Sequence, residues 1–304
     1  MTRSPDTPPA LMPMSPDAYR RSVYVFQTLK LASTVLGLFL LVTGRVSWLD
    51  LAMLAAMYAL TMVGITAGFH RLFAHHSFDA HPALGNTLAI LGSMAGQGGV
   101  LIWAATHRKH HQHSDQPLDP HSPHAAEGPA WRRFWHAHTG WILGFYPQDL
   151  ERYVPDLMKD RALMTIHKLA AVWILVGLFL PALIGGVLGG WQAALTGMLW
   201  GGWIRMFLVE QGACLVNSAG HVWGRRPFAS RDRSTNSGLL AVLTLGDGWH
   251  NGHHAFPASA RHGLLWWELD ATFLLIRLWQ ALGLARQVVV PTADQVAAKR
   301  VQSS

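Results

Sequence analysis

Four long stretches without a charged residue constrain this chain more than any other feature. They run from Leu31 to Gly44, from Leu51 to Phe69, from Pro82 to Thr106 and from Leu169 to Ile204. About 20 consecutive apolar residues are enough to cross a bilayer. Charged residues make up 13% of the chain, against roughly 25% in an ordinary soluble domain. The sequence therefore predicts an all-α membrane protein and argues against a soluble enzyme.

The positions of turns and glycines divide these stretches into four predicted transmembrane helices, arranged as two hairpins. The first hairpin has a very short turn, and the Gly-rich stretch from Pro181 to Gly190 divides the second. Lys30 lies close enough to one end of the first span to snorkel. The predicted spans cover about residues 24–43, 48–68, 169–188 and 192–216.

Basic residues indicate the orientation. Of 24 Lys and Arg residues, only Arg45 falls in a predicted outer loop. By the positive-inside rule, both termini and the segment from His70 to Lys168 face the cytoplasm, where helices form a cap on the bundle. The net charge of +7 is scattered, so it does not indicate nucleic-acid binding. We expect a disordered leader over residues 1–22, one membrane domain over 23–285 and a flexible tail over 286–304.

The stretch from Pro82 to Thr106 is ambiguous, because its length would permit a fifth span. It connects two histidine clusters, however, and a crossing would put them on opposite faces of the membrane. Its five glycines suit a bent, re-entrant or protein-buried segment. We therefore expect a bent segment, with the fifth span as the alternative.

Histidine is unusually frequent, with 18 residues, whereas cysteine occurs once. A single cysteine excludes a disulfide framework and a Cys-ligated iron–sulfur cluster. Two clusters share the spacing His-x-x-His-His, which brings three imidazoles to one side of a helix. In a third cluster the spacing of five fits a helix end that is unwinding. The clusters are His70 with His75, His107 with His110 and His111, and His250 with His253 and His254.

So many imidazoles exceed what one ion can bind, and they indicate two metal ions. Ligation by nitrogen without sulfur suits iron, copper, zinc or nickel. Zinc hydrolases usually add a carboxylate that activates water. None of the four glutamates begins a Glu-x-x-His motif, which argues against the soluble carboxylate-bridged di-iron bundle.

Six short sequence motifs, which span about residues 62 to 267, together indicate one protein family. The chain resembles the integral-membrane fatty acid desaturases, most closely a bacterial type of the stearoyl-CoA (Δ9 acyl) branch. The strings are Gly-Ile-Thr-Ala-Gly-Phe-His70-Arg-Leu, His107-Arg-Lys-His110-His111, Asp119-Pro-His121, His138-Thr-Gly-Trp141, Asn217-Ser-Ala-Gly-His221 and Gly246-Asp-Gly-Trp-His250-Asn-Gly-His253-His254-Ala-Phe-Pro257.

The resemblance implies a di-iron centre with nine histidine ligands. Periodicity alone would not select His221, which follows the fourth span. In that family the residue at the Asn217 position reaches one iron through water. The implied ligands are His70, His75, His107, His110, His111, His221, His250, His253 and His254.

Carboxylates near these histidines are candidates to orient the ligand rings through the other imidazole nitrogen. Asp115, Asp119 and Asp247 are the candidates, and solvated loop acids are the alternative. His121 and His138 lie within family strings and are assigned to the same shell or to substrate contacts. The remaining histidines, including His262, are expected to be capping or surface residues.

The resemblance also implies the chemistry and the partners. The enzyme would use two iron ions, O2 and two external electrons to insert a cis double bond, at Δ9, into a saturated acyl chain. The chain has neither a Gly-x-Gly-x-x-Gly site nor a haem-attachment motif, so a separate donor must deliver the electrons. A ferredoxin or a cytochrome with its reductase is implied, with the bacterial inner membrane as the location.

An apolar acyl chain requires a tunnel between the transmembrane helices. Leu54, Tyr58 and Thr66 lie above His70 on the second span and are expected to line one wall. Tyr58 lies roughly 18 Å from His70 along the helix, so we predict that it sets the tunnel floor; packing between helices is the alternative. Arg205 is assigned to a tunnel or head-group contact, or to an interfacial snorkel.

The chain departs from the pattern where animal acyl-CoA enzymes bind coenzyme A phosphates. Ala105, Phe145 and Tyr146 stand where that group has basic residues, so charge-assisted phosphate contacts are missing. The acyl carrier therefore remains open among coenzyme A, a glycerolipid and an acyl-carrier protein.

Two other functions compete with desaturation. A hydroxylase or ketolase on the same scaffold would add oxygen to a lipid, an alkane or a carotenoid. A metal transporter would need histidines at mid-membrane depth, whereas these clusters lie near the predicted cytoplasmic ends of the spans.

Overall fold

The structure is a computed structural model that describes residues 11–12 and 14–301. This part of the chain is mostly helical, with two short strands. Its α-helices are α1 (Pro16–Val42), α2 (Trp48–Val63), α3 (Pro82–Met94), α4 (Val100–His113), α5 (Ala130–Trp135), α6 (Trp141–Gly144), α7 (Arg161–Lys168), α8 (Ala170–Gly197), α9 (Arg205–Ser218), α10 (Gly238–Leu243), α11 (His250–Ala255), α12 (Ala271–Ala281) and α13 (Ala293–Lys299). The π-helical segments are Gly64–Ala74, His136–Gly140 and Met198–Ile204, the 3₁₀ turns are Glu151–Tyr153, Leu157–Lys159 and Ala219–His221, and the strands are β1 (Asp79–Ala80) and β2 (Ala285–Arg286).

The first helix begins earlier than predicted. The Ser15 hydroxyl accepts a hydrogen bond from the backbone N–H of Ala18, and Pro16 and Asp17 occupy the first turn. All three residues favour a helix N-terminus. Helix α1 therefore starts inside the predicted leader. Residues 1–10 and 13, which that prediction also covers, lie outside the described residues.

Helix α2 continues into the π-helical segment, so that one apolar helix runs from Trp48 to Ala74. A capping box between Ser47 and Asp50 begins it. The helix packs closely on α3, because a Cβ at Gly64 would overlap the backbone of Gly92. This close approach fixes the part of the helix that carries the first histidine cluster.

The helical run from residue 170 to 221 reverses its direction at Gly190, where φ is 75° and ψ is −168°. A Cβ at Gly185 would overlap the backbone of Ala193, and one at Gly197 would overlap the carbonyl of Pro181. In a straight helix, residues 181 and 197 would lie roughly 24 Å apart. The run therefore folds into two packed arms, and the predicted turn lies at the end of the Gly-rich stretch.

Three helical runs of the described chain are long and apolar enough to cross a membrane: Pro16–Val42, Trp48–Ala74 and Ala170–His221. The four predicted spans fall on these runs, two of them on either side of the reversal in the third. Residues 82–106 form no such run, because α3 and α4 are separated by a turn in which Gly96 and Gly98 have φ of 75° and 91°. The predicted bend in this segment is confirmed.

The buried core lies where the extension of α2 packs against α4 and α7. Phe69, Leu101 and Leu163 are at most 2% exposed and belong to one apolar cluster. This cluster holds the first two histidine strings against each other.

The C-terminal segment packs against the body of the protein, in contrast to the predicted flexible tail. Strand β2 pairs antiparallel with β1, and the backbone N–H of Val289 donates to the carbonyl of Ser77. Further along, the N–H of Ala229 donates to the carbonyl of Lys299. These backbone hydrogen bonds tie the tail to two loops as far as residue 301; residues 302–304 lie outside the described part.

Candidate metal centre

Five histidines from three elements form the first set of converging imidazoles. One ligand nitrogen from each lies within 4.8 Å of the others: His70, His75, His107, His111 and His253. The Nε2 atom of His253 lies 3.1 Å from that of His70 and 2.8 Å from that of His111. The Nε2 atoms of His75 and His107 are 2.8 Å apart.

A π-helical turn, and not the unwinding helix end that we expected, produces the spacing of five in the first cluster. The backbone N–H of His75 donates to the carbonyl of His70 at 3.1 Å, which is the i to i+5 bond of a π-helix. Residues five apart thereby come onto the same side.

Four histidines form the second set: His110, His221, His250 and His254. The Nε2 atom of His110 lies 3.4 Å from that of His254, and the Nε2 atoms of His221 and His250 lie 3.0 Å apart. His221 lies in the 3₁₀ turn that ends α9. The two sets adjoin, because the rings of His111 and His254 are stacked with their centroids 4.4 Å apart.

Each His-x-x-His-His string contributes to both sets, because a helix turns 100° per residue. In α4, His107 and His111 are four residues apart and project within about 40° of each other. His110 projects about 100° away from His111 and joins the second set. In α11, His250 and His254 likewise belong to one set and His253 to the other. Two short helices thus supply six imidazoles to two neighbouring sites.

Carboxylates engage the Nδ1 atoms of four of these rings. His70 contacts Asp247 at 2.9 Å, and His110 contacts Asp119 at 2.9 Å. His221 contacts Asp115 at 3.3 Å. In the fourth pair, His254 contacts Asp232 at 2.6 Å. A carboxylate holds the ring proton on Nδ1 and leaves the Nε2 lone pair free.

The electrostatics favour the neutral imidazole at six of the nine histidines, whereas at His110 burial is outweighed by Asp119 and the pKa is raised. Burial lowers the pKa of His250 and His253 well below its usual value, and neighbouring imidazoles lower it further. Burial alone would raise the pKa of Asp232, but hydrogen bonding to His254 brings it below the usual range. Burial lowers the pKa of His254 to about 4, although Asp232 opposes that shift. Neutral imidazole is the form that binds metal.

The geometry fits metal ions at both sets. Lone pairs on nitrogens 2.8–3.4 Å apart repel each other unless a cation lies between them. Metal–nitrogen bonds of about 2.1 Å place adjacent ligand nitrogens roughly 3 Å apart. The nine histidines therefore have the donor type and the spacing that a pair of metal ions requires, and four of them have a carboxylate that holds the proton on Nδ1.

The comparison with protein families agrees with this geometry. A sequence profile described as fatty acid desaturase matches residues 46–287, which include both histidine sets. The chain belongs to the fatty acid desaturase family.

Curated relatives of this desaturase are similar over most of their length. The hex-5-enoyl-[acyl-carrier protein] acetylenase of Moorena producens is 40% identical over 284 residues, covering 91% of this chain and 88% of the relative. The sn-1 stearoyl-lipid 9-desaturase of Anabaena variabilis is 40% identical over 263 residues, covering 85% and 91%. Delta-9 acyl-lipid desaturase 1 of Arabidopsis thaliana is 35% identical over 253 residues, covering 82% and 78%. The desaturase is an oxidoreductase that acts on fatty acyl chains, and these relatives do not favour a hydroxylase or ketolase.

The remaining polar candidates of the desaturase lie at different distances from the histidine sets. The ring of His121 lies 4.4 Å from that of His110, and its backbone N–H donates to Asp119. His138 contacts Ser218 and Gln211 of α9, each at 3.0 Å. Asn217 is half-buried in α9, four residues before His221, and its role as a water-mediated ligand stays a prediction.

Three of the four tunnel candidates lie on α2 and its π-helical extension, and the fourth, Arg205, lies at the start of α9. Leu54 is half-buried, the Tyr58 hydroxyl donates to the carbonyl of Leu243 at 2.6 Å, and the Thr66 hydroxyl contacts that of Thr272 at 2.9 Å. Their role in a tunnel stays a prediction. Arg205 is fully buried.

The guanidinium of Arg205 donates to three backbone carbonyls, at Gly201, Met94 and Gly177. It therefore ties α8, α9 and α3 together. Neither a head-group contact nor a snorkelling position describes this arrangement, because the side chain is fully buried and each of its three nitrogens donates to a backbone carbonyl. A tunnel contact of Arg205 stays a prediction.

Sequence reasoning missed Asp232 and misplaced His262. Asp232 is the only acidic residue between His221 and Asp247, and that isolation was the available signal. His262 was expected to be a capping or surface residue, yet it is fully buried and its ring lies 4.4 Å from that of His253. The chain fold brings both residues to the site from loops whose sequences carry no periodicity.

Replacing Asp232 with asparagine is expected to lower metal affinity by about 10- to 100-fold. The amide keeps the shape of the carboxylate but removes the charge that holds the proton on Nδ1 of His254. Metal retention during dialysis against a chelator would measure the effect. Asp294→Asn is the matched control, since Asp294 is exposed in α13. Equal retention by the two variants would contradict the orienting role.

Proposed function

We propose that this protein is a Δ9 desaturase of acyl chains esterified to glycerolipids, with a pair of iron ions held by the nine histidines. Convergence of five and four imidazoles in two adjoining sets supports this proposal most directly. O2 is the co-substrate, and an external ferredoxin or cytochrome with its reductase supplies two electrons. The family membership supports desaturation, and nitrogen-rich ligation suits iron.

Iron and O2 supply the strong oxidant that removal of hydrogen from an unactivated methylene requires. Overall, one –CH2–CH2– unit, O2, two electrons and two protons become –CH=CH– and two waters. The protein's own groups hold the ligand geometry. Asp115, Asp119, Asp232 and Asp247 keep the protons of four ligand rings on Nδ1.

Three features support a glycerolipid as the acyl carrier. Ala105 is fully buried, so this position in α4 offers nothing to a nucleotide phosphate. The Tyr146 hydroxyl donates its proton to the carbonyl of Met14 at 2.8 Å, so that proton is not available to a nucleotide phosphate either. In addition, the Anabaena variabilis and Arabidopsis thaliana relatives are named for acyl-lipid substrates. The Moorena producens relative is named for an acyl-carrier protein substrate, which makes that carrier the second candidate.

We also propose a topology with four spans in the bacterial inner membrane, with both termini and the metal centre in the cytoplasm. The reversal at Gly190 and the distribution of basic residues support it. Cys214 is buried, so an impermeant maleimide would report on introduced cysteines alone. Arg45→Cys should react in intact spheroplasts and Lys159→Cys only in inverted vesicles; the reverse pattern would refute this orientation.

Mass spectrometry of the lipids made by cells with and without the protein would test the function. Desaturation lowers the mass of an acyl chain by two hydrogens, whereas hydroxylation adds one oxygen. Fragmentation locates the double bond, and the position on the glycerol shows whether intact lipids were the substrate. His110→Ala is the inactive control. Hydroxylated products, or unsaturation confined to acyl-carrier protein, would contradict the proposal.

Replacing Tyr58 with alanine is expected to extend the accepted chain length. Tyr58 lies roughly 18 Å along the helix from His70, and its hydroxyl donates to the carbonyl of Leu243, the last residue of α10. Discrimination against chains two carbons longer should weaken by about tenfold or more. Tyr58→Phe separates the loss of the hydroxyl from the loss of volume, and Leu60→Ala is an exposed control on the same helix. An unchanged product distribution would remove Tyr58 from the tunnel.

A further inference from the structure

A tenth histidine lies buried against the first metal set. His262 is fully buried in the loop between α11 and α12, and its ring centroid lies 4.4 Å from that of His253 and 5.1 Å from that of His70. Its Nδ1 atom lies 3.3 Å from a carboxylate oxygen of Asp247. Within residues 11–12 and 14–301, neither ring nitrogen of His262 makes a hydrogen bond, so Nδ1 approaches Asp247 without hydrogen-bond alignment and Nε2 has no partner.

His253 has a buried ring nitrogen, Nδ1, that needs a hydrogen-bond acceptor. Its Nε2 atom faces the Nε2 atoms of His70 and His111, so Nδ1 must carry the ring proton when Nε2 binds a metal ion. That Nδ1 atom is buried and, in the described part of the chain, lacks an acceptor. An unpaired buried N–H group is unfavourable, and metal-bound histidines almost always donate this proton to a partner.

These unpaired nitrogens lie on neighbouring rings, whose centroids are 4.4 Å apart and whose planes form an angle of 38°. We propose that, after small rotations of the two rings, His262 accepts the Nδ1 proton of His253 at its own Nε2 and donates its Nδ1 proton to Asp247. Asp247 would then orient two ligands, His70 directly and His253 through His262. The inference rests on the proposed metal centre and adds a positioning residue to it.

The surroundings hold His262 in place for this role. The backbone N–H of His262 donates to Asp270 at 2.7 Å, and Asp270 also accepts from Arg71 at 3.1 Å. Arg71 donates to Asp247 at 2.6 Å. One buried network thus positions the imidazole, the carboxylate and the loop that carries them.

The test compares His262→Leu with His262→Gln. Leucine fills the space without a polar atom, whereas the glutamine amide can accept from His253 and donate to Asp247. Chelator competition and metal content per chain should show about 10- to 100-fold weaker retention for His262→Leu and near-normal retention for His262→Gln. His136→Leu is the matched control, because His136 is outside both histidine sets.

Several outcomes would overturn the proposed relay of hydrogen bonds from His253 through His262 to Asp247. They are equal retention by the leucine variant and the wild type, equal loss by both variants, and a loss that appears equally in the thermal unfolding of the metal-free protein. If the leucine variant does not fold, His262→Met replaces it with a flexible apolar side chain. Asp247→Asn should weaken retention more than His262→Leu, since it affects two rings. The retention measurements report metal binding and not catalysis. A wild type that binds two ions without desaturating would therefore refute the proposed function, whereas the relay would still be judged from the metal retention of the variants.

Discussion

Replacing His221 with alanine is expected to abolish desaturation and to lower the bound metal from about two ions per chain to about one. The second set has four histidines, so the variant leaves three nitrogens. His250 loses the neighbour that lies 3.0 Å from its Nε2, and Asp115 loses its imidazole partner. Loss of a ligand should exceed the 10- to 100-fold effect of an orienting residue, so activity should fall below about one-hundredth.

Metal analysis of the purified protein and mass spectrometry of its products would measure these effects together. His136→Ala is the control, because it removes a half-buried histidine that belongs to neither set. Retention of both ions by His221→Ala would show that His221 is not a ligand. Loss of both ions would show that the two sets do not bind independently.

Replacing Glu210 with glutamine is expected to destabilise the protein by about 3–5 kcal/mol. Glu210 forms an ion pair with Lys30 between α9 and α1, and the side chains are 6% and 1% exposed. Gln27 donates to the same carboxylate at 3.1 Å. Without the carboxylate, the Lys30 ammonium remains buried among apolar helices with no opposite charge.

The double variant Lys30→Met/Glu210→Met should recover most of the lost stability, because it removes both charges and keeps apolar volume. Unfolding of the purified protein in detergent, followed by circular dichroism, would give the free energies. Lys159→Met is the control, since Lys159 is exposed. A double variant as unstable as the single ones would show that the effect comes from packing and not from the unpaired charge.

This ion pair also shows where sequence reasoning failed. Lys30 was expected to snorkel, because an isolated lysine near the end of a span usually does. Its partner is 180 residues away in the chain, and helical periodicity relates only residues within one helix. The same limit applies to Arg205, because two of its three carbonyl partners, Met94 and Gly177, lie on other helices.

Helical periodicity succeeded for the two His-x-x-His-His strings. It predicted that their imidazoles converge, and the structure places them in adjoining sets. It did not predict that each string is divided between both sets. That division follows from the 100° between His110 and His111, but it becomes visible only when α4 and α11 pack against each other.

By itself, the sequence determined the helical membrane class, the bend in residues 82–106 and which histidine strings come together, since these follow from hydrophobic length, from the placement of glycines and from the pitch of a single helix. Only the tertiary structure decided that Asp232 and His262 join the site, that Lys30 pairs with Glu210 and that the C-terminal segment packs on the loops. Those contacts join loops and helices far apart in the chain, and their geometry depends on how the close-packed helices bring the segments together.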